Sequence, residues 1–152
     1  MDIAGKNLWQ IAAGNGDNTH YAQQCLDAGV ILVGPGKWGP WPDCEADMRA
    51  GGFSSFSVGK LRRFTDDIKV GDLVVLRVGT REVYGVGEVI GSYDWRKEFG
   101  NVQGWDLQHC RSVRGLWKAN PSPKVFETYA MKFGSSVQRL ISPQVQAWMK
   151  TL

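Results

Sequence analysis

The chemistry this sequence offers most plainly is stacking. Trp38 and Trp41 follow one predicted strand, Tyr93 and Trp95 follow another, and Trp105 opens a third. If those strands share a sheet, their ends gather an aromatic mouth. Such a mouth holds a flipped or single-stranded base between ring faces, at roughly 1–3 kcal/mol per stacked base. A methyl group on the base adds apolar surface over a ring. Asp43, Asp94 and Asn101 lie near these aromatics in sequence and are the candidates to read a base edge. Lys37, Lys60, Arg62, Arg63 and Arg96 are the candidates for phosphate contacts, which position a nucleic acid without specifying its sequence. Trp9 and Trp148 are read instead as core, the commonest role of a large aromatic.

Other chemistries find little support. The histidines, His20 and His109, have no partners in a recognisable motif, and neither Cys110 nor Ser112 stands in a nucleophile elbow. No HExxH or EF-hand pattern is present, and the cysteines Cys25, Cys44 and Cys110 are scattered without CxxC spacing. No metal and no cofactor is therefore expected. Gly14-x-Gly16 lies between a strand and a helix in the manner of a dinucleotide loop, but Thr19 replaces the third glycine and no acidic residue ends the next strand. Glu88, between Gly87 and Val89, is a half-buried carboxylate better suited to a structural hydrogen bond than to catalysis.

The elements that must position these residues are legible from pattern. Leu8–Ala13 and Val30–Val33 read as strands, with a helix between them capped by Asn18 or Thr19, carrying Tyr21, Cys25 and Ala28 on one face and stopped by Gly29. The segment 34–42 is interrupted by prolines and glycines and forms a shaped loop. Ser57 is read as the cap of a helix through Thr65 with Val58, Leu61 and Phe64 inward. A hairpin follows, Leu73–Val78 and Val83–Ile90, entered by Gly71-Asp72. Gly85 and Gly87 share one face of its second strand, which demands that something pack closely against the backbone there. A further strand is expected within 105–117, and Ser122-Pro123 and Ser142-Pro143 each read as a helix start. Val145, Trp148, Met149 and Leu152 mark the last helix as amphipathic.

The 152-residue length fits one domain, 1–152, and the 19 glycines favour turns and sheet over a helical bundle. A net charge of +3 marks no bulk electrostatic binder of nucleic acid. An odd cysteine count and the lack of a signal-peptide pattern fit a reducing cytoplasm. No apolar run reaches the roughly 20 residues needed to cross a bilayer. The expected architecture is α+β: a small twisted mixed sheet, largely antiparallel, curled into a barrel with flanking helices.

The hairpin and its flanks resemble the EVE branch of the PUA-like superfamily, which is related to the YTH readers of methylated adenine. The residues that carry the resemblance are Trp9-Gln10-Ile11, Phe64, Ile68-Lys69-Val70-Gly71-Asp72-Leu73-Val74, Val83-Tyr84-Gly85-Val86-Gly87-Glu88-Val89, Tyr93 and Arg111-Ser112-Val113. The resemblance spans roughly residues 8 to 117. It implies a PUA-like barrel with a pocket for an extruded modified base, in which Trp38 and either Tyr93 or Trp95 match the reader aromatics. Similar modules stand at the N-terminus of modification-dependent restriction proteins, ahead of an AAA+ motor or an HNH nuclease. The usual Trp-x-Gly-x-Arg-Asn signature is replaced by Gly36-Lys37-Trp38-Gly39-Pro40-Trp41, which leaves the identity of the base open. The signature of the related ASCH amidohydrolases is missing its glutamate at Gly59-Lys60-Leu61-Arg62-Arg63. The reading is thus a non-enzymatic module for a methylated base in double-stranded DNA, serving a restriction system. An RNA-binding module is the alternative, followed by a small amidohydrolase using Lys60 or Glu88.

Overall fold

A computed structural model describes residues 1–14 and 19–152. Its strands are β1 (Leu8–Ala12), β2 (Val30–Val33), β3 (Leu73–Val78), β4 (Glu82–Val89), β5 (Asp94–Trp95), β6 (His109–Lys118), β7 (Lys124–Val125) and β8 (Val137–Arg139). Its α-helices are α1 (Ala22–Ala28), α2 (Glu45–Ala50), α3 (Ser55–Arg62) and α4 (Pro143–Lys150), with a π turn at Arg63–Asp67 and a 3-10 turn at Lys97–Phe99. The sheet runs β2-β6-β4-β3-β1-β8, with β5 beside β6 and β7 beside β4. Among the described strands, the β1–β3 pairing alone is parallel; the others are antiparallel. The result is a mixed α+β fold with a sheet curled into a half-barrel. No described helix is long and apolar enough to cross a membrane.

The apolar run of β3, broken by Arg77 alone, has a direct cause. Val74, Leu76 and Val78 enter one core, with Trp9, Ile11, Phe64 and the inner faces of α1 and α3. Leu73 and Val75 enter a second core on the other face, with Val83, Val86, Leu140 and the Val145–Met149 stripe of α4. A strand covered on both faces has no place for the polar half of an alternating pattern.

Gly85 and Gly87 mark close approach, as their spacing requires. A Cβ on Gly85 would lie 2.8 Å from Leu26 Cδ2 of α1, and one on Gly87 would run into Val113 Cγ1 and lie 3.0 Å from the Arg114 carbonyl. The β4–β6 register shifts between Val86 and Gly87, at this contact.

Buried polar groups tie the sheet to its helices. Asp72, 5% exposed, accepts from Trp9 Nε1 at 2.9 Å, the Lys69 amide at 2.8 Å and Asn7 Nδ2 at 3.4 Å. Arg111, 3% exposed, donates to the carbonyls of Phe64 (2.9 Å), Ile68 (2.7 Å) and Gly91 (2.9 Å).

Several boundaries differ from the sequence reading. Ser54, not Ser57, caps α3, its Oγ accepting from the Ser57 amide at 3.2 Å. The helix gives way to the π turn after Arg62, so Thr65 is not α-helical. Ser122-Pro123 leads into β7 rather than a helix, because Lys124 and Val125 take backbone partners in Val83 and Glu82 of β4. The six-residue α2 and the short β5, β7 and β8 carry too few periodic positions to be read from pattern. Trp105 lies in the loop before β6, which begins at His109. Helix α1 begins at Ala22, and Ala28 is exposed, so its inward stripe is Tyr21, Ala22 and Cys25. Gly29 closes α1 in the left-handed region, and Ser142 caps α4 with Pro143 in its first turn. The expected cap Asn18 and the Gly16 of the dinucleotide-like loop lie outside the described residues.

Gly87→Ala is expected to lower stability by about 1–3 kcal/mol through overpacking. Gly115→Ala, where a Cβ meets nothing within 4 Å, is expected to change stability little. Urea denaturation of the two variants checks this, and equal losses would refute the close-approach account.

A candidate ligand cleft at the ends of the parallel strands

Register brings the cleft's floor together. Ala12, the last residue of β1, pairs with Arg77 near the end of β3. Strand β2 ends beside them and turns out through Gly34 and Pro35, while α3 supplies Phe56, Ser57 and Lys60 from a single face. Trp105 and Asp106 approach from the loop before β6, and Phe133 and Ser135 from the segment before β8. These groups enclose an open cleft of about 380 Å³. A second cavity of about 460 Å³ lies between α1 and strands β4 and β6, but its lining is largely apolar. Aromatic faces and convergent polar groups occur together in the first cleft, which makes it the candidate site.

Its walls are aromatic and its floor is cationic. Tyr21 and Trp105 stand 5.7 Å apart, ring centre to ring centre. Phe56 is 65% exposed and Phe133 67% exposed, both at this cleft. Burial pushes the Lys60 ammonium pKa down, aided by Arg63 and opposed by Asp106. Burial likewise lowers that of Arg77. Asp106 Oδ2 accepts from the amides of Gly36 at 3.2 Å and Lys37 at 3.3 Å, so the carboxylate also braces the loop after β2.

The aromatic residues expected to share one mouth are divided. Trp105 lines the cleft, and the others frame the 34–42 loop. Trp41 is buried, and its amide donates to Tyr93 Oη at 2.9 Å. Tyr93 Oη lies 2.6 Å from His109 Nδ1, and His109 Nε2 lies 3.0 Å from the Pro35 carbonyl. The carbonyl can only accept, so Nε2 carries the proton and Nδ1 accepts from the tyrosine. Trp95 Nε1 donates to the Gly36 carbonyl at 2.8 Å, and Trp38 packs edge-on against Phe53. A loop rich in glycine and proline has no strand ladder of its own, and these side chains supply its partners.

The polar candidates divide in the same way. Lys60 is in the cleft. Lys37 and Arg62 are exposed, Arg96 pairs with Asp94 at 3.1 Å, and Arg63 donates to the Val137 carbonyl and Ser135 Oγ. Asp43 is exposed, and Asn101 closes a turn by accepting from the Gly104 amide. Glu88 pairs with Arg114 at 2.8 Å and is not among the residues lining the cleft. Tyr21, Phe56, Arg77, Asp106 and Phe133 were not foreseen as site residues. Two of them left a signal: Arg77 interrupts an apolar run, and Phe56 falls off the Val58–Leu61 stripe of its helix.

Residues 9–138 match the family described as Domain of unknown function (DUF8426). The chain belongs to this family. The DUF8426 span includes every cleft residue, from Ala12 to Ser136. No curated protein and no solved structure matches the chain. Among the described residues, no cluster of histidine, cysteine and acidic side chains could hold a metal ion.

Burial lowers the His109 pKa from 6.5 to about 4. A base with a lowered folded-state pKa resists protonation only when folded. Its contribution is complete above pH 6.5 and is lost as pH falls towards 4. His109→Gln is expected to lose about 1–3 kcal/mol near neutral pH through its broken hydrogen bonds. It should also show a shallower fall in stability between pH 6.5 and 4, measured by urea denaturation. An unchanged slope would assign that titration to another group.

Proposed function

We propose that this chain is a binding module that takes a modified base, extruded from DNA, into the cleft between α3, the Trp105 loop and the segment before β8. The observation that carries the reading is Phe56 and Phe133, two phenylalanines left mostly exposed at the mouth of one polar cleft. Exposed phenylalanine beside cations and a carboxylate is poor use of apolar surface unless a flat partner covers it. Trp105 and Tyr21 continue the aromatic wall inward, and the cleft's volume falls within the roughly 300–1,000 Å³ usual for small-molecule sites. Lys37 and Arg62 are exposed and free to meet phosphates outside the cleft.

The half-barrel sheet and the Gly-Asp and Gly-x-Gly-Glu strands accord with the EVE and PUA-like resemblance. On that reading the module works in the cytoplasm, in a modification-dependent restriction system whose nuclease or motor is another domain or chain. Base extrusion costs a few kcal/mol, and stacking with phosphate contacts must jointly offset it.

Binding to matched short duplexes carrying cytosine, 5-methylcytosine, 5-hydroxymethylcytosine, adenine or N6-methyladenine, with RNA counterparts at one salt concentration, tests the reading. A preference of about tenfold or more for one modified DNA, about 1.4 kcal/mol, is expected. Phe56→Ala and Phe133→Ala should each weaken that binding about tenfold with little change in melting temperature. Equal, salt-sensitive binding to every duplex would overturn the reader role, and a preference for RNA would replace DNA as the target.

A further inference from the structure

Hydrogen-bonding groups inside the cleft are unequally distributed. Arg77 is 2% exposed. Its Nη1 donates to the Gly79 carbonyl at 2.7 Å and its Nη2 to the Ser135 carbonyl at 3.3 Å, while Nε is buried without a partner. Native proteins rarely leave a buried charged donor unmatched. Lys60, on α3, lines the same cleft, and its ammonium makes no hydrogen bond or ion pair among the described residues. The acceptors nearby are largely spent. Asp106 Oδ2 takes two loop amides, Tyr21 Oη donates to the Ala12 carbonyl, and Ser135 Oγ serves Arg63 and Val137. Among the described groups lining the cleft, Asp106 Oδ1 and the hydroxyls of Ser57 and Ser136 remain able to accept. The two cations lining the cleft, Arg77 and Lys60, form no ion pair among the described residues.

We propose that Arg77 and Lys60 read a ring carbonyl oxygen on the bound base, so that the module selects derivatives of cytosine, thymine or guanine against derivatives of adenine. This rests on the base-reading function proposed above. A charge-assisted hydrogen bond from guanidinium or ammonium to an oxygen is about twice as strong as a neutral one. Adenine offers ring nitrogens and an amino group but no oxygen. Its amino group could meet Asp106, but each ring nitrogen has a single lone pair and takes one cation, where a carbonyl oxygen with two lone pairs takes both. Discrimination arises as much from that unmet demand as from the hydrogen bonds a carbonyl accepts. Backbone phosphates do not need these residues, because exposed Lys37 and Arg62 lie outside the cleft.

Short single strands with one central test base remove the cost of extrusion. Two comparisons vary the carbonyl: 5-methylcytosine against N6-methyladenine, and hypoxanthine against adenine, which share a purine ring and differ in a carbonyl for the amino group and a proton on N1. Titration by fluorescence anisotropy is expected to show tenfold or tighter binding of the carbonyl-bearing member of each pair. Lys60→Met, with folding checked by thermal denaturation, should reduce the preference below threefold. Phe56→Ala should weaken both members alike and keep their ratio. Equal or tighter binding of the adenine derivatives overturns the inference and leaves base binding standing. So does Lys60→Met weakening all strands equally, because the lysine would then serve phosphate. No binding of any strand by the unaltered protein overturns the inference and the base-reading function together.

Discussion

The buried carboxylate of Asp72 is the constraint on which the arrangement depends. A carboxylate removed from water is costly unless its oxygens are filled, and here Trp9 Nε1, the Lys69 amide and Asn7 fill them. Those donors come from β1, from the approach to β1 and from the turn before β3. The carboxylate therefore pins the one parallel pairing in the sheet, which lacks the hairpin that sets register for antiparallel neighbours. Slipping β1 by one residue would carry Trp9 away from Asp72 and turn Ile11 out of its core. It would also separate Ala12 from Arg77, the pair at the cleft's floor.

Arg111 performs the matching task on the other side. Its guanidinium gathers the Phe64 and Ile68 carbonyls at and just beyond the π turn, together with the Gly91 carbonyl after β4. A π turn leaves carbonyls that ordinary i to i−4 bonding does not satisfy, and one planar cation with several donors closes them together. The turn immediately follows α3, so fixing it to β6 fixes where Phe56, Ser57 and Lys60 stand. Asp72 thus sets the strand side of the cleft and Arg111 the helix side. Both residues belong to the motifs that carried the family resemblance, and both act structurally.

The sheet was legible in the sequence where its signals were local. Apolar runs bounded by Gly-Asp, Gly29 and Ser142-Pro143 gave β2, β3, β4 and the ends of α1 and α4. The paired glycines correctly announced close packing, though not its agents, Leu26 and Val113, which lie far off in the chain. The six-residue α2 and the three-residue β8 escaped because tertiary contacts hold them where periodicity cannot. The cleft was legible only in part. Lys60 and Trp105 were foreseen, but Arg77 hid inside an apolar strand, and Phe133 belongs to a segment with no periodic pattern. Its floor is assembled by register, which composition and spacing do not encode.

The aromatic abundance that first suggested a binding site divides by exposure into separate tasks. Trp41 is buried, and the polar tips of Tyr93 and Trp95 are satisfied by named partners in and around one loop. Phe56 and Phe133 have no polar tips and remain mostly uncovered. A side chain already satisfied inside the fold has little left to give a ligand, whereas one held at the surface against its transfer preference has most of its free energy still to gain. By that criterion the residues best suited to recognition are not the tryptophans that stand out in the sequence. They are two phenylalanines beside a guanidinium with donors to spare, which the fold positions without burying the rings or giving its Nε a partner.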